Sequence, residues 1–453
     1  MCIRLPNARP WQRIQQEGVS ELRRPHLIGI IAASALSLTT LLGFSAVSGA
    51  APAKTVTITF WYNGMMPQFM NPLVRSFEKR YPDIKVQVSN VSSQDNNAKF
   101  TTAMASGRSP DVIMTGPIYN WYADGLLQPL NKLAKKYNIS IPTYFYPSLL
   151  PLTYRGQLYG LQAEVDEPML MYNKTLFANA GIKQPPRTIA QLTQDAKKLT
   201  IIKNGKLVQA GLIPSQGCGN SIWVHFFGGT WYNQSNGKFV ADSPQNVAAF
   251  EWMRQIYKMD GGYTQATNLV NSAPFNRPFY SNQLAMYVSG EWIPLELKMY
   301  APKVKYGVVP IPTAAGIKPG SVTYIATGDS FFLPRGSAHP QQALLFMRYM
   351  VSPPMIDAFN HANGNLPPIP GDAKVGGAFY NANPALRPWL AELFRGKAKP
   401  QTTSPVATYF YNTRSTADQD ILDGSTGVKQ GLRQLESNVT QYAAQYTRTH
   451  PGA

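Results

Sequence analysis

Acidic side chains are scarce in this chain: its 453 residues include 24 Asp and Glu against 42 Lys and Arg, a formal charge of +18. So few carboxylates would suit a protein working in acid, where carboxylates lose their charge anyway. The basic residues form no run or stripe, so the excess leaves no footprint for nucleic acid, and no such partner is expected. Cysteine is nearly absent. Cys2 and Cys218 make neither a CxxC nor a metal spacing, and Cys218 reads as a small buried thiol. Five histidines (His26, His225, His339, His361, His450) lack metal-ligand spacing and read as packing or solvent-facing residues. GxSxG, P-loop and HExxH patterns are missing, as are internal repeats and low-complexity tracts. No catalytic residue, metal or cofactor is therefore assigned.

What is present begins with a leader. Arg23-Arg24 precede an apolar stretch from Leu27 to Val47, and small residues run from Ser48 to Ala53. That is a basic region, an apolar core and cleavage options after Ala50 or Ala53, so residues 1–53 are expected to be removed on export. No Cys closely follows the apolar stretch, which argues against a lipid anchor. The expected location is periplasmic or extracellular. After the leader, Val56, Ile58 and Phe60 alternate with Thr57 and Thr59, the period of a strand. A helix from about Pro67 to Arg80 and a second alternating strand (Ile84, Val86, Val88) complete a strand–helix–strand unit, which implies a parallel sheet covered by helices.

The chain is organised around Gly156 to Leu199. A turn and strand (Gly156–Leu161) lead through an acidic crossing (Glu164, Asp166, Glu167) into a second strand, Met169–Tyr172. Asn173 is placed to cap the next helix and Gly181 to end it. Thr188 and Gln191 stand at capping-box spacing before a helix with Ile189, Leu192, Ala196 and Leu199 on one face.

These residues, with Ser106 to Ile113, Gly125 to Leu130, Ala285 to Trp292 and Gly364 to Pro367, resemble the extracellular solute-binding proteins (family 1) of ABC importers. That family includes the maltose- and glycerol-phosphate-binding proteins. The likeness spans about Thr55 to Tyr446, with one departure: Gln162 stands where the family usually has Pro. It implies an α/β, two-lobe periplasmic-binding-protein fold with discontinuous lobes around a ligand cleft. Lobe 1 would take residues 54–164 and 312–363, and lobe 2 residues 165–311 and 364–453. It implies a carbohydrate ligand, transient docking to a membrane ABC permease, a monomer and no enzymatic activity. The alternatives are a glycerol-phosphate or sugar-phosphate ligand and, from another class, a secreted glycoside hydrolase acting through two acids.

A sugar offers apolar CH faces and a rim of hydroxyls, so its site needs rings beside carboxylates, amides and backbone groups. Such groups fall at the ends of expected strands, where open α/β sheets bind ligands. They are Asn63, Gly64 and Met65; Thr115, Gly116 and Tyr119; Glu164 and Asp166; Ser215 and Trp223; Glu291 and Trp292; Gly328 and Asp329. Trp292, beyond Gly290, is the candidate stacking ring. Trp61, Trp121 and Trp252 are expected in the core, Trp223 and Trp231 fit either role, and Asp111 is expected to bond nearby backbone.

Overall fold

The computed structural model describes residues 55–63, 67–91, 96–141, 152–368, 384–394, 398–400, 404 and 406–450. Met1–Ala53 and Lys54–Ala453 are separate units, and every described residue lies in the second. The expected leader, Gly64 and Met65 lie outside the described residues.

Two five-stranded sheets carry the architecture. In chain order the strands are β1 (Val56–Asn63), β2 (Ile84–Val91), β3 (Val112–Thr115), β4 (Gly160–Gln162), β5 (Val165–Asp166), β6 (Met169–Asn173) and β7 (Ile201–Lys203). They continue with β8 (Lys206–Gly217), β9 (Leu284–Ser289), β10 (Tyr306–Val309), β11 (Thr323–Thr327), β12 (Ser330–Phe332) and β13 (Ala398–Pro400). The first sheet runs β2-β1-β3-β12-β4 and the second β10-β6-β9-β8-β7, while β13-β11-β5 form a small third sheet. β1 pairs in parallel with β2 and β3, as the strand–helix–strand pattern implies, and β12 enters antiparallel between β3 and β4.

Each large sheet is covered on both faces, which explains why β9 is buried at every residue rather than alternating. Phe60, Met70, Phe77, Met114, Leu161 and Phe346 fill one side of the first sheet. Phe100, Ile113, Trp121 and Phe332 fill the other. Around the second sheet pack Leu170, Leu192, Leu212, Trp252, Phe250 and Met286. Trp121 and Trp252 are therefore core residues, as expected. Trp61 differs: it is half-buried, beside Phe100 and under the Lys99 ammonium 5.2 Å from its ring centre.

Local signals fold as the residues suggest. Asn173 accepts from the N–H groups of Thr175 and Leu176, opening the helix Lys174–Asn179. Thr188 Oγ1 accepts from the Gln191 N–H at 3.2 Å, and Gln191 returns the bond to the Arg187 N–H at 2.8 Å, one residue before the usual capping-box partner. The C-terminal helices, Ala407–Leu422 and Val428–Thr449, bury Leu432, Leu435 and Val439 on the second sheet's side. Ala407 in their first turn packs instead with the first sheet's cluster, and Thr408 Oγ1 donates to Asn120 Oδ1 at 2.8 Å. Among the described residues no helix is long and apolar enough to cross a membrane.

Asp111 holds three segments of the first sheet together. One carboxylate oxygen accepts from the N–H and hydroxyl of Thr59 at 2.9 and 3.0 Å. The other accepts from the Ser337 hydroxyl at 2.8 Å and the His339 N–H at 3.0 Å. Hydrogen bonds to a carboxylate are worth more than neutral ones, and Asp111→Ala removes the acceptor that four donors share, though the His339 N–H keeps a second partner in Ser337 Oγ at 3.3 Å. The substitution is expected to cost about 3 kcal/mol in urea unfolding. A loss below about 1 kcal/mol would mean the four bonds do not act as a clasp.

Candidate functional site

The polar groups that the two sheets share collect where the chain passes from one to the other. On the first sheet, Ser330 pairs with Thr115 on one side and Gln162 on the other. Asn63 follows the Tyr62–Met114 pair and so extends the same row. Four polar residues thus stand abreast at the carboxyl ends of β1, β3 and β4, where open α/β sheets bind ligands. Gly116 continues from this edge, and a side chain there would meet nothing within 4 Å. Tyr119, in the following turn, is buried at 5 % exposure with a hydroxyl that finds no partner among the described residues. Burial raises its pKa well above the ordinary value, helped by Tyr411, Tyr122 and Tyr324.

Four acids meet at the crossing. β5 carries Asp166 and pairs with β11, whose chain continues to Gly328 and Asp329. Glu164 Oε1 accepts from the Asp329 N–H at 3.2 Å, and its other oxygen accepts from the Asn365 amide. Glu291 Oε2 accepts from the Glu167 N–H at 3.2 Å. The packing is close enough that only glycine fits at position 328. A Cβ there would lie 2.4 Å from Glu164 Cγ and 3.1 Å from Asp166 Oδ1.

Burial governs the titration of this cluster. It pushes Glu164 up to about 7, against the opposing pull of Asn365 and the Asp329 N–H. Glu291 rises to about 8 by burial, opposed by backbone N–H groups and reinforced by the Glu164 charge. Asp166 is raised well above the carboxylate range by burial and then by Glu291, Glu164 and Asp329. Asp329 is raised by burial and by Glu164. None of the ion pairs among the described residues reaches the cluster. Proton sharing is the available way to relieve four adjacent acids. Cys218 is half-buried near Asp166 and Glu291, and desolvation, followed by those two acids, raises its thiol pKa.

The second sheet's side supplies rings and a cation. Trp292 is half-buried at the start of the helix Ile293–Tyr300, packed against the second sheet's core. Its indole folds back over Gly290, where a Cβ would come within 1.9 Å of the ring. Tyr324 on β11 stacks against His225, ring centres 4.9 Å apart at 27°. Arg414 lies over the rings of Trp231, Phe410 and Tyr411 and pairs with Asp418 at 3.0 Å.

Thus Asn63, Thr115, Gly116 and Tyr119 gather on the first sheet's edge, and Glu164, Asp166, Glu291, Gly328 and Asp329 in the crossing. Two candidates from the second sheet fall elsewhere. Trp223 is wholly buried, its indole N–H on the Pro214 carbonyl at 3.1 Å and its ring against Trp252 at 4.7 Å. It opens a short helix, Trp223–Phe226, that turns the ring inward, so the structure corrects its assignment from ligand surface to core. Trp231 is likewise buried. Ser215 sits on β8 with its N–H on the Tyr257 hydroxyl at 3.2 Å. Sequence reasoning missed Ser330, Tyr324 and Tyr411, and noted Gln162 only as a departure from Pro. A tyrosine-rich helix start was the one available signal for Tyr411.

A pH dependence follows from the raised acids. The folded chain holds protons that the unfolded chain has already released above the ordinary carboxylate range, so folding takes up protons. Stability is then highest in acid and falls as pH rises from about 5 to about 8. Melting temperature across that range is expected to drop, and Glu291→Gln and Glu164→Gln should each flatten the slope. A melting temperature that rises towards pH 8 would contradict this account.

Comparison with known proteins agrees with this fold. The family model for the bacterial extracellular solute-binding protein matches residues 62–355. A putative binding protein of Brucella abortus is 26 % identical over 354 residues, covering 76 % of this chain and 83 % of that protein. A lactose-binding protein of Rhizobium radiobacter is 24 % identical, with 66 % of this chain and 71 % of that one covered. Among solved structures, CpMnBP1 with mannotriose bound superposes at a TM-score of 0.76 and 29 % identity, covering 85 % of this chain and all of that one. The maltotriose-bound maltose/maltodextrin-binding domain from Bdellovibrio bacteriovorus has the same two-lobe fold, at a TM-score of 0.69 and 20 % identity. With its two sheets, acidic crossing and family match over most of its length, this chain belongs to the bacterial extracellular solute-binding proteins.

Proposed function

We propose that this protein captures a neutral carbohydrate outside the cytoplasmic membrane and delivers it, as a monomer, to an ABC permease. One observation carries the reading: buried polar groups with open hydrogen-bonding capacity lie along the junction of the two sheets. Asn63 Oδ1 and Tyr119 Oη have no partner among the described residues, and Asp166 and Glu291 meet carboxyl to carboxyl beside them. A sugar hydroxyl both donates and accepts, and so serves carboxylate, carboxylic acid, amide and phenol alike. Trp292 offers an apolar face beside them. CpMnBP1 bound to mannobiose and the arabinooligosaccharide-binding protein of Bacillus subtilis add support from similar chains.

The acids favour a neutral ligand over a phosphorylated one. Arg277 is held by Glu296 and Arg414 by Asp418, while Arg387 is exposed at the start of its helix. Two of these three guanidinium groups are thus already paired among the described residues and offer a phosphate at the carboxyl cluster little to offset its charge.

Calorimetric titration with mannobiose, maltotriose, lactose and glycerol 3-phosphate tests the reading. At least one neutral sugar is expected to bind and glycerol 3-phosphate to fail. Trp292→Ala should weaken the bound sugar about ten-fold or more while leaving the melting temperature within a few degrees of wild type. Unchanged affinity would remove Trp292 from the site. Steady release of reducing ends from an oligosaccharide by pure protein would replace the reading with a hydrolase.

A further inference from the structure

Gln162 ends β4 in the polar row of the first sheet and is fully buried. Its neighbours on the strand, Leu161 and Ala163, point into the core with Phe331. Gln162 therefore faces the other way, with Ser330 beside it in register. Neither its amide nitrogen nor its amide oxygen has a hydrogen-bond partner among the described residues. Leaving both ends of a carboxamide unpaired in a buried position is costly, more so than leaving one end. The surrounding groups share the condition: Asn63 Oδ1 in the same row and the Tyr119 hydroxyl are also buried and unpaired. Ser330, between Gln162 and Thr115, has its hydroxyl turned back to the Gly328 carbonyl at 3.3 Å, leaving the amide to neighbours from outside the sheet.

We propose that Gln162 is a specificity-determining residue of the ligand site, its carboxamide reading two adjacent hydroxyls of a neutral sugar by donating to one and accepting from the other. This rests on the carbohydrate reading above and deepens it. A primary amide is neutral, so it adds nothing to the charge of the neighbouring acids. It presents a donor and an acceptor side by side, the complement of a vicinal diol. Proline, which the chain's resemblance leads one to expect at this position, has neither side-chain group. A site built this way rejects analogues that lack or invert one hydroxyl, because an unpaired end is left behind.

The test uses the full chain with Gln162→Met, close in volume and without polar hydrogen bonding, and Gln162→Leu as a second variant. If the amide is unpaired until ligand arrives, removing it relieves a cost. Melting temperature without ligand should then be unchanged or a few degrees higher. Affinity for mannobiose, measured by calorimetry, should fall about ten-fold to a hundred-fold, and the ratio of mannobiose to cellobiose affinities should move. A melting temperature several degrees lower in both variants would mean the protein itself satisfies the amide, overturning the inference. So would unchanged mannobiose affinity, or equal losses for both disaccharides. Should no sugar bind the wild-type chain, the carbohydrate reading fails and takes this inference with it, whereas binding unaffected by either substitution defeats the inference alone.

Discussion

Burial of carboxyl groups at the crossing is the constraint on which the site depends. Glu164 and Asp166 share one stretch of chain, while Glu291 and Asp329 come from two others; the stretches of Glu164 and Asp329 are passages between the sheets. Glu164 binds both the Asp329 N–H and the Asn365 amide, so one side chain fastens the segments around those two residues to its own. Val165 adds a backbone bond to Leu366 at 3.1 Å. The same desolvation that makes these ties strong also makes ionisation costly, so the acids hold protons and keep donor as well as acceptor capacity. Structural fastening and readiness for hydroxyl groups are here two effects of one environment.

The chain's shortage of acids gains meaning from where the remaining ones lie. Acidic residues are few overall, yet four are concentrated in one cluster, two buried and two half-buried, that favours protonation. A protein whose crossing is most comfortable with protons fits the acid working condition that the composition suggests. Asp111 makes the contrast: it is as buried as Glu164 but takes four hydrogen bonds, including two backbone N–H groups. The difference between an acid that clasps and an acid that waits lies in the donors around it, not in depth.

Local features of the fold were legible in the sequence. Alternation marked β1, and Asn173 and Thr188 cap as their positions suggest, because these signals act over a few residues. The order of motifs carried the two-sheet architecture through resemblance. The site was legible only in part. Ser330 and Gln162 join Thr115 through register, which arises when strands 168 and 215 residues apart in sequence come together. Tyr411 reaches Tyr119 from the C-terminal helices, and no local pattern announces it. Trp223 misled for a physical reason: its loop is rich in Gly and aromatics, but a short helix turns the ring inward onto Trp252. Trp61 packs against the first sheet's core cluster as expected, though only half-buried.

The position of β12 also sets an order of assembly. It is the strand that joins β3 to β4, yet it is made after all five strands of the second sheet. During synthesis the first sheet can pair only β1, β2 and β3, and β4 stays without its neighbour until residue 332 has emerged. The second sheet, contiguous from β6 to β10, can close first although it begins later. A chain whose N-terminal half needs a late strand keeps part of itself open for most of its synthesis, a slow-maturing state with long-range pairings still to be made.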